Sequence, residues 1–144
     1  MKYRFLPNIA TADLAFEAFG RDYNELFENA GLALESAMVD LISLKAREVK
    51  EIKLEGENLE ALLSSFLEEL VFIKDSEQLL FNNILCDVKQ MGGGRWRVDA
   101  KLGGEKIDRK KHKLGVDVKA VTKHLFKIEV RPDKTYHCQV ILDV

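Results

Sequence analysis

The sequence predicts an α+β two-layer sandwich, a mostly antiparallel sheet packed against two amphipathic helices. Three observations carry the prediction: two long stretches with apolar residues at helical intervals, a switch to period-two alternation from about Leu80 onward, and turns marked by glycine or proline between the alternating runs. Lys2 to Leu6 reads as a first strand. Ala12 to Phe19 reads as a second, with Leu14, Phe16 and Ala18 on one face and Asp13, Ala15 and Glu17 on the other. Asp22-Tyr23-Asn24-Glu25 has the spacing of a capping box, and Tyr23, Leu26, Phe27, Ala30, Ala33, Leu34, Ala37 and Met38 follow at helical intervals. Glu48 to Glu55 alternates Ile52 and Leu54 with charged residues and reads as a short strand near an edge. Asn58 caps the second helix, whose apolar stripe runs Leu59, Leu62, Leu63, Phe66, Leu67, Leu70 and Ile73.

In the second half, Ile84, Cys86 and Val88 alternate with polar residues, Met91-Gly92-Gly93-Gly94 supplies a turn, and Trp96, Val98, Ala100 and Leu102 return as the other arm of a hairpin. Strands are expected again over Val116 to Val121, Leu125 to Val130 and Tyr136 to Val144, the last entered through Pro132-Asp133-Lys134. Without an internal repeat, linker or low-complexity segment, residues 1–144 are expected to form one domain.

Composition narrows the function classes. With 47% hydrophobic and 32% charged residues, the chain is expected to be globular with a real core. The 22 Lys and Arg against 24 Asp and Glu give a net charge of −2, so no global field draws the chain to nucleic acid or an anionic membrane, and free nucleic-acid binding is expected to be weak. Met1 to Pro7 lacks the apolar core of a signal peptide and no run is suited to span a bilayer, so the expected location is cytoplasmic with no membrane partner. Cys86 and Cys138, neither a CxxC pair nor part of a disulfide framework, are expected as buried thiols.

Two lone carboxylates stand out because each interrupts a strand-like apolar segment: Asp13 in Ala10-Thr11-Ala12-Asp13-Leu14-Ala15-Phe16, and Asp143 in Val140-Ile141-Leu142-Asp143-Val144. An uncompensated charge is costly there. If the first and last strands meet, Asp13, Asp143 and the terminal carboxylate of Val144 form an all-oxygen cluster suited to Ca²⁺, Mg²⁺ or Mn²⁺ rather than zinc; the other reading is that single aspartates near strand ends simply face water. On the last strand Asp143 shares a face with Ile141, Gln139 and His137.

Other constellations carry less. His112, His124 and His137 have no zinc-ligand spacing, and His137 and Cys138 point to opposite faces of a strand. The glycine run lacks the lysine of a phosphate loop, and no serine sits in a nucleophile elbow. The run Lys106 to Lys113 is the densest positive patch, readable as a solvated loop or as a phosphate contact. No self-sufficient catalytic set is identified.

Taken in order, Phe5-Leu6-Pro7, Thr11 to Gly20, Glu25-Leu26-Phe27-Glu28-Asn29-Ala30, Glu55 to Leu63, Val118-Lys119-Ala120-Val121-Thr122 and the terminal Val140 to Val144 resemble the archease family over nearly the whole chain. The resemblance implies an accessory protein of the RtcB-type RNA ligase in tRNA splicing and RNA repair. Such a protein joins nothing itself. It promotes guanylylation of the ligase and multiple turnover, and it meets nucleic acid only indirectly, as tRNA on the ligase. The resemblance also implies a divalent metal site, calcium among its ions, matching Asp13, Asp143 and Val144, with Lys119 and His124 as candidate partner contacts. The chain departs from the common pattern at Ala10, where many relatives carry histidine, and at Lys123, where many carry tyrosine. The alternatives from other classes are a metal-dependent phosphate-processing enzyme and a chaperone-like interaction module.

Overall fold

In the computed structural model, which describes residues 1–7 and 13–144, two helices and two antiparallel sheets make the predicted α+β sandwich. The strands are β1 (Tyr3–Leu6), β2 (Asp13–Gly20), β3 (Glu48–Gly56), β4 (Leu79–Gln90), β5 (Trp96–Lys106), β6 (Ala120–Val121), β7 (Lys127–Val130) and β8 (Tyr136–Asp143). The helices are α1 (Tyr23–Met38) and α2 (Leu59–Glu77). Ala10, and the expected start of the second strand at Ala12, lie outside the described residues.

The single expected sheet is two. One runs β1-β2-β8-β6, with β7 also paired to β8; the other is β3-β5-β4. The helices fill the space between them. Phe16, Ala18, Cys138, Val140 and Leu142 from the first sheet and Ile52, Ile84, Val98, Ala100 and Leu102 from the second close on Leu26, Phe27, Ala30 and Leu34 of α1 and Leu63, Phe66, Leu67 and Leu70 of α2. Phe27 and Phe66 meet at 5.9 Å between ring centroids. Each of the buried Val, Leu, Ile and Phe side chains among these contributes about 1.5–3 kcal/mol when taken out of water.

Both helices start as their sequences require. Asp22 accepts a hydrogen bond from the Glu25 amide at 2.8 Å, and Glu25 reaches back to the Arg21 amide at 3.2 Å, one residue before the usual partner. Asn58 accepts from the Ala61 amide at 2.8 Å. Gln78, at φ 58°, closes α2 in the left-handed conformation and turns the chain into β4.

One face of α1 does something the apolar periodicity hides. Asn24, Glu28 and Glu35 accept hydrogen bonds from the Val88, Cys86 and Phe81 amides of β4, at 2.7, 2.9 and 2.9 Å. These β4 amides point away from the ladder with β5, so three helix side chains cap an otherwise open sheet edge. Glu35 is wholly buried, its second oxygen has no partner among the described residues, and burial pushes its carboxyl up to about 8.

Two expected strands shorten for identifiable reasons. Of Val116 to Val121 only Ala120–Val121 is strand, because the preceding backbone is engaged elsewhere: the Gly115 and Val116 amides donate to Met38 and Ala37 of α1, and Lys74 captures the Val118 carbonyl. The expected strand from Leu125 begins only at Lys127, since Leu125 sits in a turn at φ 53°. Both cysteines are buried free thiols, and burial raises Cys138 to about 12.

Candidate carboxylate site

The ladder between β2 and β8 pairs Asp13 with Asp143, then Leu14 with Leu142, and so on to Gly20 with Tyr136. Directly opposed residues in an antiparallel pair have Cα atoms roughly 4.5–5.5 Å apart and side chains on the same face. The two carboxylates singled out from the sequence therefore share one face at one end of one ladder. Val144, partly buried against the core, follows Asp143 immediately, so the chain-terminal carboxylate lies within one residue of the pair.

The wall beside Asp143 is held from several directions. Ala120 of β6 pairs with Asp143 on the side away from Asp13, and the Lys119 amide donates to the Asp143 carbonyl at 2.8 Å. Upstream, the Lys74 ammonium anchors the same segment, reaching the Val118 carbonyl at 2.8 Å, Asp117 at 2.6 Å and Asp75 at 2.7 Å. Burial works to lower the Lys74 pKa, but the hydrogen bonds and charges of Asp117 and Asp75 outweigh it and hold the group above its ordinary value. Lys74, α2 and the Val118–Ala120 segment thus fix where β6 meets β8.

A comparison along the same sheet face shows what Asp13 and Asp143 lack. Asp13 and Asp143 are half-buried; Glu17, four residues after Asp13, is buried, and Arg4 binds it at 2.6 Å, His137 Nε2 stands 3.0 Å from it, and Arg131 closes in at 3.8 Å. Burial works to raise the Glu17 pKa, but the hydrogen bonds from Arg4 and His137 and their charges hold it below the usual carboxylate value. The other ring nitrogen of His137 lies 2.9 Å from Glu129, off line for a hydrogen bond. Among the described residues no lysine, arginine or histidine forms an ion pair with Asp13 or Asp143.

These carboxylates fit an oxygen-loving cation by donor type and by register. Among the described residues, no three His, Cys, Asp or Glu side chains converge into a metal cage, so the two aspartates do not complete one with other side chains. Of the candidate partner contacts, Lys119 adjoins Asp143 through its backbone amide. Lys119 is exposed and lines a small apolar cleft with Phe72, Ala120 and Val121, and His124 is exposed in the turn before β7. Lys123 is committed to α2, with its ammonium 2.5 Å from the Ser64 hydroxyl and 3.7 Å from Glu68. His112 and His137 are each tied to a glutamate, and His137 and Cys138 face opposite ways.

The residues missed from the sequence are Lys74, which sets the wall, and Arg4, His137 and Arg131, which surround the neighbouring Glu17. Lys74 sits in the last turn of a helix rich in acids, where a solvated lysine is the ordinary reading. Glu17 and His137 lie 120 residues apart, and only the β2–β8 register brings them together.

Fold and site define a class: a two-sheet α+β sandwich whose first long strand and last strand bring an aspartate pair to the chain terminus. The match to known proteins is specific. The Archease protein family model matches residues 3–144. "Protein archease" of Pyrococcus abyssi is 38% identical over 134 residues, covering 93% of this chain and 94% of the relative. That of Archaeoglobus fulgidus is 35% identical over 144 residues, covering all of both. A solution structure of Methanobacterium thermoautotrophicum protein 1598 superposes with a TM-score of 0.80 at 32% identity, covering 99% of this chain and 98% of that one. The chain belongs to the archease family. Among the described residues, no helix is long and apolar enough to cross a membrane.

Proposed function

We propose that this chain is a cytoplasmic, metal-binding accessory protein that activates an RtcB-type RNA ligase, promoting guanylylation of the ligase and its multiple turnover in tRNA splicing and RNA repair. The ligase role is what archease membership implies. The observation that carries the metal part is the register pairing of Asp13 with Asp143, two carboxylates with no protein cation among the described residues beside a glutamate that has several. Asp13, Asp143 and the Val144 carboxylate would hold a divalent ion, Ca²⁺, Mg²⁺ or Mn²⁺, whose chemistry is to offer a hard positive centre to a phosphate or carboxylate of the partner. The chain's own part is to hold those oxygens still, through the β2–β8 ladder and the Lys74-anchored segment. Lys119 and His124, both exposed, are the candidate contacts with the ligase.

The test is ligation of a 3′-phosphate RNA to a 5′-hydroxyl RNA by a cognate RtcB-type ligase with GTP and a divalent ion, RNA ends in excess over ligase. Adding the chain is expected to turn a reaction that stalls near one product per ligase into one that continues. A ligase indifferent to the chain contradicts the proposal, as does hydrolysis or ligation of the RNA by the chain alone.

A further inference from the structure

The basic run 106–113 looks in sequence like a solvated loop, but its backbone is closed on itself. The Asp108 carbonyl accepts from the Lys111 and His112 amides at 3.0 and 2.8 Å, the Asp108 carboxylate accepts from the Lys110 amide at 3.0 Å, and the Asp108 amide donates to His112 Nδ1 at 3.0 Å. Underneath lies Glu105, a buried carboxylate held down to about 2, first by Lys111 and then by His112 and the Lys45 amide. It takes His112 Nε2 at 2.9 Å, the Lys45 amide at 2.9 Å and the Arg47 guanidinium at 3.3 Å. One glutamate therefore joins the 45–47 segment to the turn at 108–112, sixty residues on.

The consequence is an ordered cationic surface. Arg47, Lys106, Arg109 and Lys111 border an open concavity of about 620 Å³, with Glu48, Gln78 and Asp108 on its rim. The segment from Glu105 to Lys113 holds five lysines and arginines against two acids, in a chain whose net charge is −2. Of the two acids, Glu105 is consumed beneath the surface. Lys106, Arg109 and Lys110 form no ion pair among the described residues; Lys106 reaches only the Glu77 carbonyl, at 3.3 Å. Among the described residues, the lining includes no aromatic side chain on which a base could stack and one aliphatic side chain, Ile107, where a protein partner would need an apolar anchor. Fixed cations without stacking groups read phosphates rather than bases.

We propose that this surface, formed by Arg47, Lys106, Arg109, Lys110 and Lys111, is a direct and sequence-independent contact for the phosphodiester backbone of RNA. It is distinct from the carboxylate pair: the chain leaves the basic turn at Lys113, which accepts from the Asp40 amide just beyond α1, bonds to Ala37 and Met38 of α1 through Gly115 and Val116, and only then reaches Asp143 by Lys119. The proposal does not rest on the ligase or metal reading, because binding is measured with the isolated chain in chelator.

The test is fluorescence anisotropy with a labelled single-stranded RNA of mixed sequence and a second RNA of scrambled sequence, over a series of salt concentrations in EDTA. With about four phosphates neutralised, weak binding at low salt is expected to fall with a log–log slope near −3, the same for both RNAs. The double variant Lys106→Gln, Arg109→Gln is expected to flatten that slope by about 1.4. Lys106→Glu with Arg109→Glu should weaken binding at least about tenfold at low salt, while Lys53→Glu with Lys101→Glu, on the outer face of the β3-β5-β4 sheet away from the concavity, leaves it unchanged. Circular dichroism checks that each variant folds, and the neutral pair keeps the test decisive if the charge-reversed pair does not. No binding at the lowest salt overturns the proposal. So does binding indifferent to the 106 and 109 substitutions, or displacement of RNA by polyglutamate at equal charge, which would assign the surface to an acidic protein.

Discussion

Asp13 and Asp143 stand directly opposite each other across the β2–β8 ladder, at the end where the chain terminates. Like charges in that position repel, typically by a few tenths of a kcal/mol to about 1 kcal/mol. A sheet keeps such a pair at a cost unless something positive is added, and the neighbouring Glu17 shows how this chain neutralises an acid when the acid is only structural.

Removing either aspartate therefore separates stability from metal binding. Asp13→Ala and Asp143→Ala are each expected to melt at the wild-type temperature or slightly above it in EDTA. With a divalent ion at about a hundred times its dissociation constant, the wild type gains about 2.7 kcal/mol, a shift of several degrees, and the variants gain none. Differential scanning calorimetry with and without the ion reads both effects.

Glu35 makes stability depend on pH in a definite direction. Its folded-state carboxyl is raised from 4.5 to about 8, so the unfolded chain releases this proton first, and its contribution is fully present below about pH 4.5 and is lost as pH rises toward and through 8. Glu35→Gln keeps an oxygen for the Phe81 amide and cannot ionise. It is expected to be more stable than wild type at pH 8 by on the order of 3 kcal/mol, with little difference at pH 4.5. Urea denaturation at the two pH values checks it.

Glu105 acts with the opposite sign. Its folded-state pKa is depressed to about 2, so the stability it contributes is present above the ordinary value of 4.5 and is lost as pH falls through 2. Glu105→Gln is expected to remove that part of the acid sensitivity and to free the basic turn. Amide hydrogen exchange over 108–113 should accelerate while exchange in α1 and α2 does not.

Gly104 is a position where a side chain cannot be accommodated. A Cβ there runs into the Leu80 carbonyl and comes 2.7 Å from the Phe81 Cα, where β4 is irregular between Phe81 and Asn83. Gly104→Ala is expected to destabilise the fold by about 2 kcal/mol or more, whereas Gly92→Ala, with open space around it, changes stability by less than about 0.5 kcal/mol.

What could be read from the residues was whatever depends on near neighbours. The caps at Asp22 and Asn58, the helical stripes and the glycine-turned hairpin from β4 to β5 all rest on short spacings. The aspartate pair was legible because a charge within an apolar alternating run is anomalous at each end separately, though the direct opposition of Asp13 and Asp143 is a property of the register. Contacts across the fold were not legible. Glu35, Glu28 and Asn24 have the spacing of a solvated helix face, and only the approach of β4 turns them into edge caps. The division into two sheets and the shortening of the 116–121 strand likewise follow from where α1 and Lys74 lie.

The most direct measurement of the central claim is the rate of guanylylation of an RtcB-type ligase with GTP and a divalent ion, with the wild-type chain and Asp143→Ala compared side by side at matched concentration. The account predicts that the wild type accelerates guanylylation and that folded Asp143→Ala leaves it at the unassisted rate. Equal acceleration by both proteins would contradict it, leaving the carboxylates without a part in activation and moving the search for the ligase-facing surface to Lys119 and His124.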